Sequence, residues 1–275
     1  KSVAVALFQF ILFAAFFFPS QMASAGVATW RGNHNNNSFW LSGSNWTTPT
    51  QITNGNLDPL VPNDSLVFEV TKRVDNFNDT AAGTSYAGIT FNGGSAFILR
   101  GNRITLTNSI INNSVQSQTI NLAMTLGATR TINTASGDIR INSVISGGGG
   151  LTKSGTEQLV LSGTNTYSGA TTVSNGTLIV NAGASIATSS STTIGAGGHL
   201  KVNGTAGAVS VTGTLSGSGS VGALTLSSAG TLAVGNSPGL LSASSATWNP
   251  GSNFQFEINN ATGMAGTDWD LLSVS

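Results

Sequence analysis

Two apolar residues flanking a single middle residue recur along most of this chain. The doublets are Ile104/Leu106, Ile120/Leu122, Ile139/Ile141, Leu159/Leu161, Leu178/Val180, Leu200/Val202 and Leu224/Leu226. Side chains alternate across a strand, so each doublet predicts a short strand with two residues inward and one outward. The outward residues are Thr105, Asn121, Arg140, Val160, Ile179, Lys201 and Thr225, most of them polar. Successive doublets begin 16, 19, 20, 19, 22 and 24 residues apart, close to one turn of a β-helix. Between them lie Gly/Asn-rich corners such as Ser146-Gly147-Gly148-Gly149-Gly150, Ser174-Asn175-Gly176 and Asn203-Gly204. These residue types tolerate the positive φ that tight corners need. No stretch after Gly26 has the 3.6-residue period of a helix. A single coil cannot bury its apolar side chains, whereas stacked coils share one core. The expectation is an all-β chain, a right-handed parallel β-helix (β-solenoid) over residues 87–275, with the hand set by the usual crossover rule.

Residues 26–86 read differently. They hold Trp30, Trp40 and Trp46, the cluster Asn33-His34-Asn35-Asn36-Asn37, and Pro49, Pro59 and Pro62. An open solenoid end exposes unpaired ladder groups and an apolar cross-section, so terminal units are atypical and act as caps. This segment is therefore expected to be an N-terminal cap. A sharper alternative makes the three tryptophans a glycan-binding platform, since indole faces stack on sugars. Residues 1–25 read as a signal peptide: Lys1, an apolar run from Val3 to Phe18, and Ala23-Ser24-Ala25 before the cleavage point. The run is shorter than the ~20 residues a bilayer span requires. The chain starts without Met and stops inside the strand-like run Leu271-Leu272-Ser273-Val274, the pattern expected of a fragment.

Composition supports the stacked reading. Only 7% of residues are charged, and the formal net charge is +0. Like charges repeated every ~4.8 Å along a ladder would repel by about 1 kcal/mol even in water. Ser, Thr and Asn can hydrogen-bond along the stack instead. A neutral chain also offers no electrostatic pull on nucleic acid. There is no cysteine, which removes disulfides, thiol chemistry and Cys-ligated metals.

One segment carries a specific resemblance. Gly149-Gly150-Leu151-Thr152-Lys153-Ser154-Gly155-Thr156, then Leu159-Val160-Leu161-Ser162-Gly163-Thr164-Asn165-Thr166-Tyr167-Ser168-Gly169-Ala170-Thr171-Thr172-Val173, then Gly176-Thr177-Leu178 resembles the autotransporter-associated β-strand repeat, also called the passenger-associated transport repeat. Glu157-Gln158 stand where the repeat usually has Gly-Thr. The block Gly230 to Gly239, with Glu257-Ile258 and Gly266-Thr267-Asp268-Trp269-Asp270-Leu271-Leu272, is similar to late passenger segments of such proteins. The resemblance implies an exported surface passenger of a Gram-negative-type bacterium, with a structural or adhesive role and no catalysis. It further implies an outer-membrane β-barrel translocator or short anchor beyond this sequence, and extracellular glycans or neighbouring cell surfaces as partners.

β-Helices also include polysaccharide-active enzymes, which need converging carboxylates. Between Gly83 and Asn253 only Asp138 and Glu157 are acidic, 19 residues apart and hence on adjacent coils. They are the candidate acid/base pair. Arg140 and Lys153 beside them suit ordinary surface pairing, which favours a structural reading. Asp268-Trp269-Asp270, and Asp75 with Asp79, are too few oxygens for calcium; a strand with both Asp268 and Asp270 outward and Trp269 inward is expected. His34 and His199 lie far apart and are expected on the surface. Gly147 to Gly150 lacks the Gly-Lys-Ser/Thr and helix of a phosphate loop. No cofactor is expected. Thr131, Thr171-Thr172 and Thr192-Thr193 are candidate rungs of an ice-binding threonine array, but their spacing is uneven.

Overall fold

The computed structural model describes residues 25–32, 37–47, 52–53, 56–57, 60–69, 72–235 and 238–275. The leader expected over residues 1–25, all but its last residue, and His34 lie outside these residues. The chain is a β-solenoid of about nine turns. Among the described residues a single 3-10 turn, Gly43–Asn45, is the one helical element.

Each turn in the first half of the solenoid presents three faces. The first stacks Val27–Trp30, Ser65–Phe68, Gly88–Phe91, Ile110–Asn112, Arg130–Thr134 and Leu151–Ser154, all parallel. The second stacks Asp75–Asn78, Ile98–Gly101, Gln118–Ile120, Ile139–Ile141 and Gln158–Leu161. The third stacks Thr84–Tyr86, Ile104–Leu106, Met124–Leu126 and Ile145–Ser146. Beyond Gly169 the corner between the first two faces is bridged by unbroken strands, Thr171–Val180 and Thr192–Val202, with a register shift between Val173 and Asn175.

The parallel ladder starts upstream of the expected boundary at Ala87. Val27–Trp30 pairs with Ser65–Phe68, which pairs with Gly88–Phe91. The Trp-rich segment is thus itself wound into the first turns. Its own additions are an antiparallel strand, Trp46–Thr47, against Val27–Trp30, and the pair Ile52–Thr53 with Asn56–Leu57. The core changes character along the axis. The first turns are filled by Trp30, Trp40, Trp46, Phe68, Tyr86, Phe91 and Phe97, all fully buried. Trp30 and Trp46 meet edge to face at 5.0 Å between ring centroids, and Phe68 stacks on Phe91 at 5.4 Å. Later turns bury Leu, Ile and Val.

The doublet series identified strands correctly but chained some of them wrongly. Ile139/Ile141, Leu159/Leu161, Leu178/Val180 and Leu200/Val202 form one continuous column pair. Ile104/Leu106 belongs to the third face, and Leu224/Leu226 stacks on Val209/Val211 of the first. Ile120 pairs with Ile141, so the rung there is Gln118–Ile120 and Leu122 falls beyond it. Leu200 continues to Leu215 and then Leu232, because the turns shorten after Val202. Val160, the outward middle residue of its doublet, is covered and 3% exposed.

Candidate functional site

The two candidate carboxylates sit on adjacent turns but one register step apart. Ile139 pairs with Leu159, which places Asp138 level with Gln158 instead of Glu157. Asp138 is committed to the fold: its Oδ1 accepts the Gln158 N–H at 3.0 Å, and its Oδ2 lies 3.6 Å from Arg140. The Glu157 carboxylate accepts from Thr156 Oγ1 at 3.3 Å, and its backbone carbonyl accepts from Thr134 Oγ1 at 2.8 Å. Hydrogen bonds and an ion pair of this kind hold a corner, and neither residue lines the two grooves described below. Lys153, expected to pair on the surface, is instead fully buried.

Trp30, Trp40 and Trp46 have no exposed face to offer a sugar, each being 0% exposed. They form the plug of the first turns. The Asp268-Trp269-Asp270 expectation is inverted at its last residue. Asp270 is buried and its two carboxylate oxygens accept the N–H groups of Gly239 and Glu257, at 2.8 and 2.9 Å. Asp268 Oδ2 accepts from Met264 N at 2.7 Å, and Trp269 is partly exposed. Both aspartates therefore organise the loop between Gln255 and Leu271. His199 is half-buried, with Nε2 2.7 Å from Ser216 Oγ. Burial first, and then Lys201, hold its imidazole below the ordinary histidine range. Among the described residues no three His, Asp or Glu side chains gather as a metal site.

The threonines are more regular in space than in sequence. Register places Thr131, Thr152, Thr172, Thr193, Ser210, Thr225 and Thr247 in one unbroken column on the first face. Uneven corner lengths hide this, because hydrogen-bonded register and not residue count aligns the rungs. Thr171 and Thr192, by contrast, point inward and are buried.

The polar residues of the repeat motif also point inward. Lys153 stacks between Ile132 and Val173, and its ammonium donates to the carbonyls of Ser154, Gly155 and Asn175, each at 2.9 Å. Burial lowers its pKa to about 8, against the opposing pull of Glu157 and Asp138. Asn165 is 1% exposed: its Oδ1 accepts from Ile145 N, and its Nδ2 donates to Gly163 O and Ser185 O. Tyr167 Oη, Thr171 Oγ1 and Ser189 Oγ form a buried hydroxyl relay at 2.7 and 2.9 Å. Burial raises the Tyr167 phenol to about 12. Lys153 and Asn165 thus bond backbone atoms at the corners, Ile145 N among them, and buried backbone groups left without partners would be costly in a dry interior.

Two grooves open on the second face. One, of about 410 Å³, is lined by Asn37, Ser38, Phe39, Arg73, Asp75, Phe77 and Arg100. Backbone bonds from Trp40 N to Phe77 O and from Phe77 N to Ser38 O, both 3.0 Å, dock the 38–40 segment onto the edge of this face. The other, of about 330 Å³, lies toward the opposite end and includes Lys201, Ser216, Gln255, Glu257 and Asp270. Neither was visible as a motif. Each assembles segments far apart in sequence, and the one available signal was the alternation that places Phe77 outward between buried Asn76 and Asn78.

Residues 151–180 match the family model of the passenger-associated transport repeat. The chain thus contains a repeat of this family, at the segment where Lys153, Asn165 and Tyr167 close their corners. Over 64 residues the chain is 53% identical to the adhesin BmaC autotransporter of Brucella suis biovar 1 (strain 1330). That match covers 23% of this chain and 2% of the relative, so the compared stretch is a small part of a far longer protein. No solved structure matches.

Proposed function

We propose that this chain is an exported passenger module with an adhesive role at the bacterial surface, acting by binding and not by catalysis. The observation that carries the reading is the passenger-associated transport repeat seated as about one and a half consecutive turns of a parallel solenoid, its second pass stacked on its first. The similarity to an autotransporter adhesin supports the adhesive part. The leader pattern before Gly26 supports export, and the β-barrel or anchor implied by the repeat would hold the module at the outer membrane. A solenoid suits this work because every turn adds lateral surface while contacting only its neighbours. The test is to display the module on a non-adherent bacterium through a β-barrel translocator and count cells retained on host-cell or abiotic surfaces. Retention well above the barrel alone is expected. Display without any gain in retention on any surface would overturn the adhesive reading.

A further inference from the structure

We propose that the groove at the N-terminal end of the second face binds a carboxylated sugar, a hexuronate unit of an acidic saccharide. The inference rests on the adhesive reading and names its ligand class. The groove, about 410 Å³, combines two guanidinium groups with two exposed aromatic rings. Phe39 and Phe77 are 44% and 39% exposed and meet edge to face at 5.7 Å between centroids. They are set apart from the buried aromatic plug, in which no residue exceeds 0%. Exposed phenyl rings at a groove wall offer apolar faces to the C–H side of a pyranose, while a polar rim serves its hydroxyls. Asn37 and Ser38 form that rim.

The charge pattern selects an acidic ligand. Arg100 is held by an ion pair with Asp75, which fixes its guanidinium beside Phe77. The lining of the groove holds two guanidinium groups, Arg73 and Arg100, against the single carboxylate of Asp75, which is paired with Arg100. The backbone of Arg73 has φ 50, the left-handed region that a side-chain-bearing residue adopts at a cost. The turn is locked by Asn76 Nδ2 donating to Arg73 O at 2.9 Å, and it brings the side chain to the groove wall. A planar guanidinium matches a carboxylate with two parallel hydrogen bonds, which a lysine ammonium cannot do. The ligand carboxylate is placed on Arg73, with the ring against Phe39 and Phe77.

The test is calorimetric titration of the purified chain with tri-galacturonate and with its methyl ester. Binding of the acid and at least about ten-fold weaker binding of the ester is expected, the equivalent of one charged hydrogen-bonded contact. Arg73→Gln and Phe77→Ser should each weaken the acid about ten-fold or more, while Arg103→Gln, outside the groove, leaves it unchanged. Unaltered near-ultraviolet circular dichroism of the buried tryptophans checks that the variants fold. Equal binding of acid and ester, no binding at millimolar concentration, or an equal loss in Arg103→Gln would overturn the proposal. An adherent chain blind to tri-galacturonate fails this inference alone; a chain that binds it but confers no retention fails the adhesive reading alone.

Discussion

Lys153 is where a single residue departs furthest from the pattern around it, since it occupies an inward position between Ile132 and Val173. Three carbonyls take its ammonium, yet the charged form is disfavoured, with the pKa drawn from 10.5 to about 8 by burial. The folded state therefore releases this proton before the unfolded state does. Between pH 8 and 10.5 the unfolded chain binds more protons, so stability rises with pH through that window. One proton's difference is worth about 1.4 kcal/mol for each pH step of one, so the rise is at most roughly 3 kcal/mol. Tyr86 and Tyr167, raised to about 12 by burial, act the other way only above pH 10. Urea midpoints taken at pH 7.5 and 9.5 should increase in the native chain and stay level in Lys153→Met; an equal increase in both would refute the assignment. Asn165 gives a second check. Asn165→Ala strips the acceptor from Ile145 N, and removes one of two donors from Gly163 O and Ser185 O, which keep Ser185 N and the position 165 N–H. A loss of about 1–3 kcal/mol in urea unfolding is expected for one buried N–H left unpaired; a loss below about 0.5 kcal/mol would mean that water or a rotated neighbour replaces it.

At the scale of one strand and its corner, register is decided by what the corner can accommodate. Gly155 closes the corner of the repeat with φ +80, and a Cβ there would lie 2.4 Å from Thr134 O on the turn below. Gly127 meets nothing within 4 Å. Gly155→Ala should cost more than about 2 kcal/mol of stability, combining backbone strain with the clash, while Gly127→Ala changes it by less than about 0.5 kcal/mol. Comparable melting of the two variants would show that the turns slide to relieve the contact. The same corners explain what could and could not be read from sequence. The strands from Ile139 to Val202 were legible because corners there keep the turn near 20 residues, so counting and register agree. Leu215 and Leu232 were missed because shorter corners follow Val202. Ser210 was missing from the threonine column for the same reason, whereas Thr152 keeps the regular spacing and was simply not picked out. Lys153 misled because its partners are carbonyls that exist only once the corner has formed. The groove residues Phe39, Arg73 and Arg100 carry no motif, since three turns of chain must wind before they meet.

For the whole molecule, the consequential asymmetry is the change of core along the axis. The first turns pack Trp30, Trp40, Trp46, Phe68, Tyr86, Phe91 and Phe97 against each other, whereas later turns stack aliphatic side chains. Trp46 touches Trp30, Trp40 and Phe68, and its indole N–H donates to Trp40 O at 2.9 Å. It therefore ties the antiparallel strand Trp46–Thr47 to the first parallel rung. A solenoid has only nearest-neighbour contacts along its axis, so damage at one end is felt by the adjoining turns and fades with distance. Trp46→Ala removes a fully buried ring, a change that costs about 3–5 kcal/mol where the cavity cannot collapse. Amide exchange should then accelerate strongly at Ser65–Phe68 and Gly88–Phe91, whose ladders begin at this plug. Exchange within Thr171–Val180 and Thr192–Val202, several turns away, should be unchanged. The groove lined by Phe39 and Phe77 is built on the same first turns, so tri-galacturonate binding should fall with the plug even though Trp46 lies outside the groove. Uniform acceleration along the chain would show instead that the solenoid unfolds as one cooperative unit. In that case the plug would serve the stability of the whole rod and not the ordering of the binding end.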